Sequence, residues 1–143
     1  MTVGRILAAK GREVVTIQSE RTIADAAQIL AEKRIGAIVV TGPQDSVRGI
    51  VSERDIVRML ATHGANALDA PVASCMTHEV VTTDERTTLH SLMEQMTAGR
   101  FRHLPVVEDG RLAGIVSIGD VVKHRLAEIE NEQQAMREYI ATA

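Results

Sequence analysis

The sequence predicts an α+β fold, layered like an α/β sandwich and built from two tandem copies of one β-α-β-β-α unit. The main observation is that Gly-Ile-Val-Ser-x-x-Asp-apolar-Val occurs twice, at residues 49–57 and 114–122. In addition, short β-branched runs and amphipathic helical stretches follow one another in the same order before both copies. A repeat of this quality indicates two copies of one supersecondary unit.

The first unit, residues 1–62, opens with a helix and a strand. Residues 2–10 have apolar side chains at helical spacing, and Gly11 ends this pattern. The β-branched run at 14–17 predicts a short strand. A helix is then predicted from residue 23 to about residue 34, because apolar residues recur there at i, i+3, i+4 and i+7.

A strand–turn–strand pair and a helix complete the first unit. The continuously apolar run at 35–40 predicts a strand buried on both faces. Gly, Pro, Asp and Ser at 42–46 predict a turn, and 47–51 returns as the second strand. Ser52 then stands three residues before an acid, the capping-box spacing that opens a helix.

The pattern restarts after a predicted linker at 63–71, and residues 72–126 form the second unit. Its predicted elements, in order, are a segment at 72–76 that matches 3–7, a strand at 80–83, a helix through Leu89 and Met96, a strand at 101–107, a hairpin turn at Asp109-Gly110, a strand at 112–116 and a helix capped by Ser117.

The last helix continues into a C-terminal extension, residues 127–143. Its apolar residues lie on a line of alternating four- and three-residue steps, interrupted by Gln133: Val122, Leu126, Ile129, Met136 and Ile140. Either this helix packs on its own domain, or it extends beyond the fold and packs on a second subunit or partner.

Composition excludes several function classes. The chain has 45% hydrophobic residues and a net charge of −3, but only two aromatic residues, Phe101 and Tyr139. It has neither a basic run nor aromatic stacking platforms, so we expect no binding to nucleic acid. No apolar run is long enough to span a bilayer, and no metal-ligand spacing is present, so neither a membrane nor a required metal is expected.

The cysteine content and the missing catalytic motifs narrow the function further. Cys75 is the single cysteine, so an intrachain disulfide is excluded. With no signal-peptide pattern at the start, this favours a cytoplasmic protein. No P-loop, nucleophile elbow, dinucleotide fingerprint or zinc-protease motif occurs, so we do not expect an enzyme.

The repeated motif places a hydroxyl and a carboxylate at a strand-to-helix junction in each unit. Ser52 and Asp55 form the first pair, and Ser117 and Asp120 the second. The structural interpretation is a capping box alone, whose loss costs about 0.5–2 kcal/mol. The functional interpretation is a ligand site, since a carboxylate accepts hydrogen bonds from two vicinal hydroxyls and therefore suits a ribose diol.

With a complete motif in both copies, the chain resembles a tandem CBS-domain pair, the Bateman module, over residues 3–126. The resemblance implies two units packed about a pseudo-two-fold axis with two composite clefts between them. It also implies an adenosine-containing ligand such as AMP, ADP, ATP, NAD or S-adenosylmethionine, while some such modules bind magnesium or no known ligand. Three positions depart from the family pattern: Ile17 and Thr83 stand where a proline is frequent, and Val39 stands in the first buried strand where the second has Pro105.

The resemblance assigns residues to each cleft. The first cleft would combine Ile50, Ser52, Arg54 and Asp55 with Thr82, Phe101, Arg102 and His103. The second would combine Ile115, Ser117 and Asp120 with Thr16, Ile35, Gly36 and Ala37.

The two clefts differ in the residues that face the motif. Arg102 and His103 would face the first motif, whereas Gly36 and Ala37 would face the second. Because a phosphate needs cations, we expect phosphate binding to be strongest in the first cleft. The alternative is that Arg102 and His103 are ordinary surface residues where the strand begins.

The sequence thus predicts a regulatory homodimer that senses an adenosine-containing nucleotide and transmits occupancy to a protein partner. Nucleotide bridging two units would favour one relative orientation, which a partner could detect. The alternatives are a ligand-independent dimerisation or scaffold module, a sensor of S-adenosylmethionine or magnesium, and a weak enzyme such as a nucleotide hydrolase.

Overall fold

Two small β-sheets, one in each half of the chain, organise residues 1–142, the part that this computed structural model describes. In the first sheet β1 (Thr16–Gln18) pairs in parallel with β2 (Ala37–Thr41), which pairs antiparallel with β3 (Val47–Ser52). Helix α1 (Val3–Lys10) precedes this sheet. Helix α2 (Ile23–Lys33) joins β1 to β2, and α3 (Glu53–His63) follows β3.

The second sheet is the antiparallel hairpin of β4 (His103–Glu108) and β5 (Arg111–Ser117). Helix α4 (Leu89–Gly99) precedes it, and α5 (Ile118–Thr142) follows it. The mixed α+β fold predicted from the repeat is confirmed.

The strand predicted at residues 80–83 is reduced to one bridging residue. Thr83 pairs in parallel with Val106, and its N–H donates to the Pro105 carbonyl at 3.0 Å. In the first unit the Val39 N–H also donates to the Val15 carbonyl, at 3.4 Å. Pro105 stands at the place of Val39 and has no N–H, so the matching bond cannot form. Pro105 in β4 thus limits the pairing of residues 80–83 with β4 to this one bridge.

Side-chain caps explain where the helices begin. The Asp25 N–H donates to Thr22 Oγ1 at 3.1 Å, and Thr88 accepts in the same way from the Ser91 N–H at 3.1 Å. Both α2 and α4 end on an arginine in the left-handed conformation, Arg34 with φ 54° and Arg100 with φ 56°. The two units therefore use matching start and stop devices.

The segments that lead into the two units are exchanged between their cores. Helix α1 buries Val3, Ile6 and Leu7 completely, among the core side chains of the second unit. Conversely, Val72 is fully buried in the core of the first unit, which Met76 also contacts. The exchange ties the two units together through their apolar cores.

The glycine of each repeated motif lies where the exchanged segment crosses the sheet. A Cβ on Gly49 would come within 2.6 Å of Met76 Sδ and 2.8 Å of the Thr77 carbonyl oxygen. A Cβ on Gly114 would come within 2.7 Å of a Leu7 methyl. At Gly49 the backbone oxygen of Thr77 leaves no room for a side chain, whereas at Gly114 the buried Leu7 side chain would have to shift, so both positions favour glycine for close approach.

The predicted linker packs against the first unit. Residues 65–69 form a 3-10 helix in which Ala67 is buried, and Thr22 and Pro71 form a β-bridge.

None of the helices within residues 1–142 is both long enough and apolar enough to cross a membrane.

Candidate functional site

A cavity of about 320 Å³ lies between the two units, where β3 passes into α3. Residues 36–37, 50 and 52–55 of the first unit meet residues 77, 79–81 and 100–103 there. Its lining residues are Gly36, Ala37, Ile50, Ser52, Glu53, Arg54, Asp55, Thr77, Glu79, Val80, Val81, Arg100, Phe101, Arg102 and His103. We call it the Asp55 cleft.

The Asp55 carboxylate is fixed by Ser52 and keeps one oxygen unused. Its Oδ2 accepts from the Ser52 N–H at 2.8 Å and from the Ser52 hydroxyl at 3.0 Å. The Asp55 N–H in turn donates to Ser52 Oγ at 3.3 Å, which completes the capping box. Because both bonds to the carboxylate end on Oδ2, Oδ1 has no hydrogen-bond donor within residues 1–142. The capping interpretation is therefore correct, and it still leaves an acceptor for a ligand.

Three arginines line the Asp55 cleft. Within residues 1–142 the guanidinium groups of Arg54, Arg100 and Arg102 form no ion pair to an acid within 4.0 Å. Arg54 and Arg102 are predicted from the sequence, but Arg100 is not. Arg100 could have been considered, because it ends α4 and stands just before the strand that enters the cleft.

His103 contributes a neutral imidazole to the cleft. It is half-buried, and a Cβ on Gly36 would lie 3.4 Å from its Cε1, so the two residues meet across the junction of the units. Burial lowers the pKa of His103, and the charges of Lys10 and Arg102 act in the same direction. The opposing charges of Asp120 and Glu53 do not restore the usual pKa. In the unliganded protein His103 is thus a hydrogen-bonding group more than a cation at neutral pH.

Three predicted positions lie differently from what the sequence suggests. Gly36 and Ala37, predicted for the second cleft, line the Asp55 cleft, because β2 runs through the junction between the units. Their contact with a ligand of the second cleft stays a prediction. Thr82 is exposed and is not among the lining residues, since Thr83 turns inward to pair with β4. The polar groups nearest in sequence that do line the cavity are Thr77 and Glu79.

The other predicted residues of the second cleft are not part of this cavity. Thr16 is exposed and pairs with Val39 within β1 and β2, and Ile35 is half-buried against the core of the first unit. Ligand contacts for Thr16, Ile35 and Thr82 stay predictions.

The second motif copy repeats the capping geometry but faces a lysine. Asp120 Oδ2 accepts from the Ser117 N–H at 2.8 Å and from the Ser117 hydroxyl at 3.1 Å. Lys10 Nζ donates to the same oxygen at 2.6 Å and to the Ile115 carbonyl at 2.9 Å. The ammonium group therefore contacts both the carboxylate and the strand that a ligand of this cleft would use. We call this region the Asp120 cleft.

The pKa of Asp120 reflects this pairing. Burial acts to raise it, but the hydrogen bonds from Lys10 and Ser117, with the charge of Lys10, outweigh burial and hold the pKa below its usual range. Sequence reasoning missed Lys10. The signal was available, because aligning residues 3–7 with 72–76 places Lys10 at the position of Glu79, which lines the Asp55 cleft.

Comparison with known proteins gives the same assignment. The family model for the CBS domain matches residues 5–62 and 72–127. The crystal structure of a CBS-domain containing protein from Agrobacterium tumefaciens is 50% identical, with a TM-score of 0.84 over 87% of this chain and 99% of that chain.

Two further solved structures contain adenosine compounds. A CBS domain protein from Pyrobaculum aerophilum, complexed with AMP, is 30% identical with a TM-score of 0.75, covering 84% of this chain and 89% of that one. The CBS domain pair of protein MJ0100, in complex with 5′-methylthioadenosine and S-adenosyl-L-methionine, is 25% identical with a TM-score of 0.80, covering 90% and 98%. With two family matches that together span most of its length, the chain belongs to the CBS-domain family and is a CBS-pair regulatory module.

Proposed function

We propose that this CBS pair binds an adenosine nucleotide in the Asp55 cleft and transmits its occupancy to a partner protein. The observation that carries the proposal is one cavity that combines Asp55 Oδ1, which has no hydrogen-bond donor within residues 1–142, with three arginines that have no acidic partner within the same residues. A nucleoside phosphate needs this combination, an acceptor for the ribose hydroxyls and cations for the phosphate.

Each part of the ligand has a matching part of the cavity. The ribose diol would donate to Asp55, as the predicted role of that residue requires. The adenine would lie between the apolar side chains of Ile50 and Phe101, both of which line the cavity. The phosphate would lie toward Arg102 and Arg54, with His103 as a further donor.

The arginines of the cleft, rather than its net charge, favour AMP, ADP, ATP or NAD over S-adenosylmethionine, since the carboxylates of Glu53, Asp55 and Glu79 line the same cavity. The arginines attract phosphate, whereas S-adenosylmethionine carries a sulfonium cation and no phosphate. AMP in the Pyrobaculum relative supports a phosphate-bearing ligand. Because the MJ0100 pair contains S-adenosylmethionine, that compound is included as the competing ligand in the test.

The position of the cleft supplies a mechanism for signalling. Asp55 comes from the first unit and Arg102 from the second, so a bound nucleotide contacts both. A ligand shifts an equilibrium by its difference in affinity between two states. Nucleotide would therefore stabilise the arrangement of units in which both residues reach it, and a partner that prefers this arrangement would bind more tightly. CBS pairs are in general regulatory rather than catalytic, and we propose no reaction here.

The test compares ligands that differ in one group each. Calorimetry and thermal unfolding with adenosine, AMP, ATP, NAD and S-adenosylmethionine should show AMP binding more tightly than adenosine, and ligand at 100 times its Kd should stabilise the fold by about 2.7 kcal/mol. Arg102→Ala should weaken the binding of AMP about tenfold and leave the affinity for adenosine unchanged. If no adenosine compound binds, the proposal is wrong, and the ligand-independent scaffold and the magnesium sensor are the alternatives left. If adenosine and AMP lose affinity equally, the phosphate role of Arg102 is wrong.

A further inference from the structure

Helix α5 extends well past the fold. It runs from Ile118 to Thr142, and every residue from 130 to 142 is exposed. Three large apolar or aromatic side chains lie on this extension with little cover: Met136 is 58% exposed, Tyr139 72% and Ile140 66%. An isolated polar helix has no need of such residues, so the extension has the composition of a contact surface.

The exposed side chains follow a heptad pattern. Steps of four, three, four, three and four residues connect six positions, which we call the seam: Val122, Leu126, Ile129, Gln133, Met136 and Ile140. A period of 3.5 residues is typical of a two-stranded coiled coil, with alternate seam residues at a and d positions. The positions outside the seam are mostly charged or polar.

The seam lies on a different face of α5 from the one that packs on the domain. Val121 is 3% exposed and belongs to the core, whereas Val122, about 100° further round the helix, is 51% exposed. Leu126 is 54% exposed, and Ile129 is half-buried where the helix leaves the domain. A second helix can therefore approach the seam without displacing the core contacts of the first.

The charges beside the seam match a second copy in parallel orientation. In a parallel pair each g residue faces the e residue five positions later on the other helix. Here Arg125 would face Glu130 of the partner subunit, and Glu132 would face Arg137 of the partner subunit. Both contacts unite opposite charges, and two-fold symmetry doubles them. Within the chain Arg125 pairs with Glu128 at 3.1 Å and with Glu132 at 3.9 Å, and both pairs are partly exposed and can rearrange.

Gln133 selects the parallel orientation over the antiparallel one. In a parallel dimer an a residue faces the same a residue, so the two Gln133 amides can hydrogen-bond to each other. In an antiparallel dimer a faces d, and the amide would be buried against an apolar residue such as Met136 or Ile129 at the cost of unpaired polar atoms. One polar a position is the known device for fixing register.

We propose that two copies of this chain associate through the seam of α5 as a parallel, in-register coiled coil. The proposal does not depend on nucleotide binding. It fixes which residues of the two copies meet, and it places both C-terminal ends on the same side of the dimer.

Cysteine cross-linking tests the register directly in the full chain. We expect the Gln133→Cys variant, made in a Cys75→Ser background, to form a disulfide-linked dimer on mild oxidation. The matched control is Gln134→Cys, one residue away on the outer face, which should stay monomeric on a non-reducing gel. Burial raises the pKa of the Cys75 thiol, so this replacement removes a thiol of low reactivity.

The outcome separates this dimer from others. A chain that is dimeric in sedimentation but cross-links at neither position, or equally at both, overturns the proposal and places the interface elsewhere. Circular dichroism checks that each variant keeps its helix content, which we expect because both positions are exposed.

Charge reversal tests the partner contacts independently. Glu132→Arg or Arg137→Glu alone should raise the dimer Kd about tenfold, because each puts like charges opposite each other twice per dimer. The double variant Glu132→Arg with Arg137→Glu restores the attraction and should return the Kd to within about threefold of the unmodified chain. A double variant that dimerises no better than the singles contradicts the parallel pairing.

Discussion

The two copies of the Ser-x-x-Asp motif have the same internal geometry, but different groups face them. In both copies the aspartate Oδ2 accepts from the serine N–H at 2.8 Å and from the serine hydroxyl at 3.0–3.1 Å. Asp55 faces a cavity lined by arginines, whereas Asp120 bonds to the Lys10 ammonium at 2.6 Å. Duplication thus preserved the helix cap, and the residues opposite each cap make the clefts unequal.

The exchanged leading segments explain how this inequality arises. Residues 3–10 cross to the second unit and 72–79 to the first, so each cleft receives the end of the other unit's segment. That end is Lys10 in the Asp120 cleft and Glu79 in the Asp55 cleft. A lysine there supplies the aspartate with an internal cation, while a glutamate leaves the aspartate open to a ligand.

The largest expected difference between the clefts is the response to losing the aspartate. Asp55→Ala should weaken AMP binding about a hundredfold, because two charge-assisted hydrogen bonds from the ribose are lost. Asp120→Ala is the matched control, since it removes the same cap and should leave AMP affinity within about threefold. Calorimetry measures both affinities, and thermal unfolding should show Asp55→Ala destabilised by about 1 kcal/mol and Asp120→Ala by more, because it also loses the pair with Lys10.

Equal effects of the two substitutions on AMP binding would contradict the comparison. If both variants unfold more easily yet bind AMP as before, both aspartates are caps only, and the ligand site lies elsewhere.

The second expected difference concerns the number of sites. Lys10→Met keeps the approximate length of the side chain but removes the ammonium group. The Asp120 carboxylate can then accept hydrogen bonds from a ligand, as we propose for Asp55. We expect AMP or adenosine to bind a second time per chain at millimolar concentration, with the first affinity unchanged within about twofold. Nuclear magnetic resonance should also show the pKa of Asp120 rising toward its usual value, because the cation that lowers it is gone.

The pH dependence of stability provides a check on this variant. A carboxylate whose folded-state pKa is lowered stabilises the fold above its unfolded pKa of 3.8, and this contribution is lost as the pH falls through the folded pKa. Lys10→Met should therefore unfold more easily above pH 4 and approach the unmodified chain at lower pH. A single AMP site in Lys10→Met, with an unchanged Asp120 pKa, would show that Lys10 does not distinguish the clefts.

The fold could be predicted from the sequence because it depends on local and repeated signals. The capping boxes at Ser52 and Ser117 and the hairpin at Asp109-Gly110 lie in short stretches of chain that determine their own conformation. The shortened strand at 80–83 was not predicted, although Pro105 was visible, because its effect acts on a strand distant in sequence.

The sequence predicted those site residues that belong to the recognised family pattern. The placement of Asp55 beside Phe101, Arg102 and His103 followed from the family pattern, and these residues do line one cavity. The contact between Lys10 and Asp120 joins residues 110 positions apart, through a segment exchange that periodicity does not reveal. To predict the contacts of the exchanged segments requires a structure. The alternative is an alignment of the two repeats that extends past their shared apolar residues.

The smallest expected difference involves His103, whose pKa depends on charged groups of both clefts. Its pKa is lowered by burial, with contributions from Lys10 and Arg102 against Asp120 and Glu53. A histidine whose folded pKa lies below its unfolded value of 6.5 stabilises the fold above pH 6.5, and this stabilisation is lost as the pH falls through 6.5 toward the folded pKa. Without ligand, the melting temperature should therefore fall between pH 7.5 and 5.5, and His103→Gln should reduce that fall.

Phosphate beside His103 should reverse this trend, because an anion favours the imidazolium. At pH 7.5, AMP binding should then take up protons, which calorimetry detects as a dependence of the heat on buffer ionisation, while adenosine binding should not. His103→Gln should abolish the uptake and lower AMP affinity only about threefold, since the arginines remain. Equal proton uptake with adenosine and AMP would place the phosphate away from His103 and leave only the arginines to distinguish the Asp55 cleft.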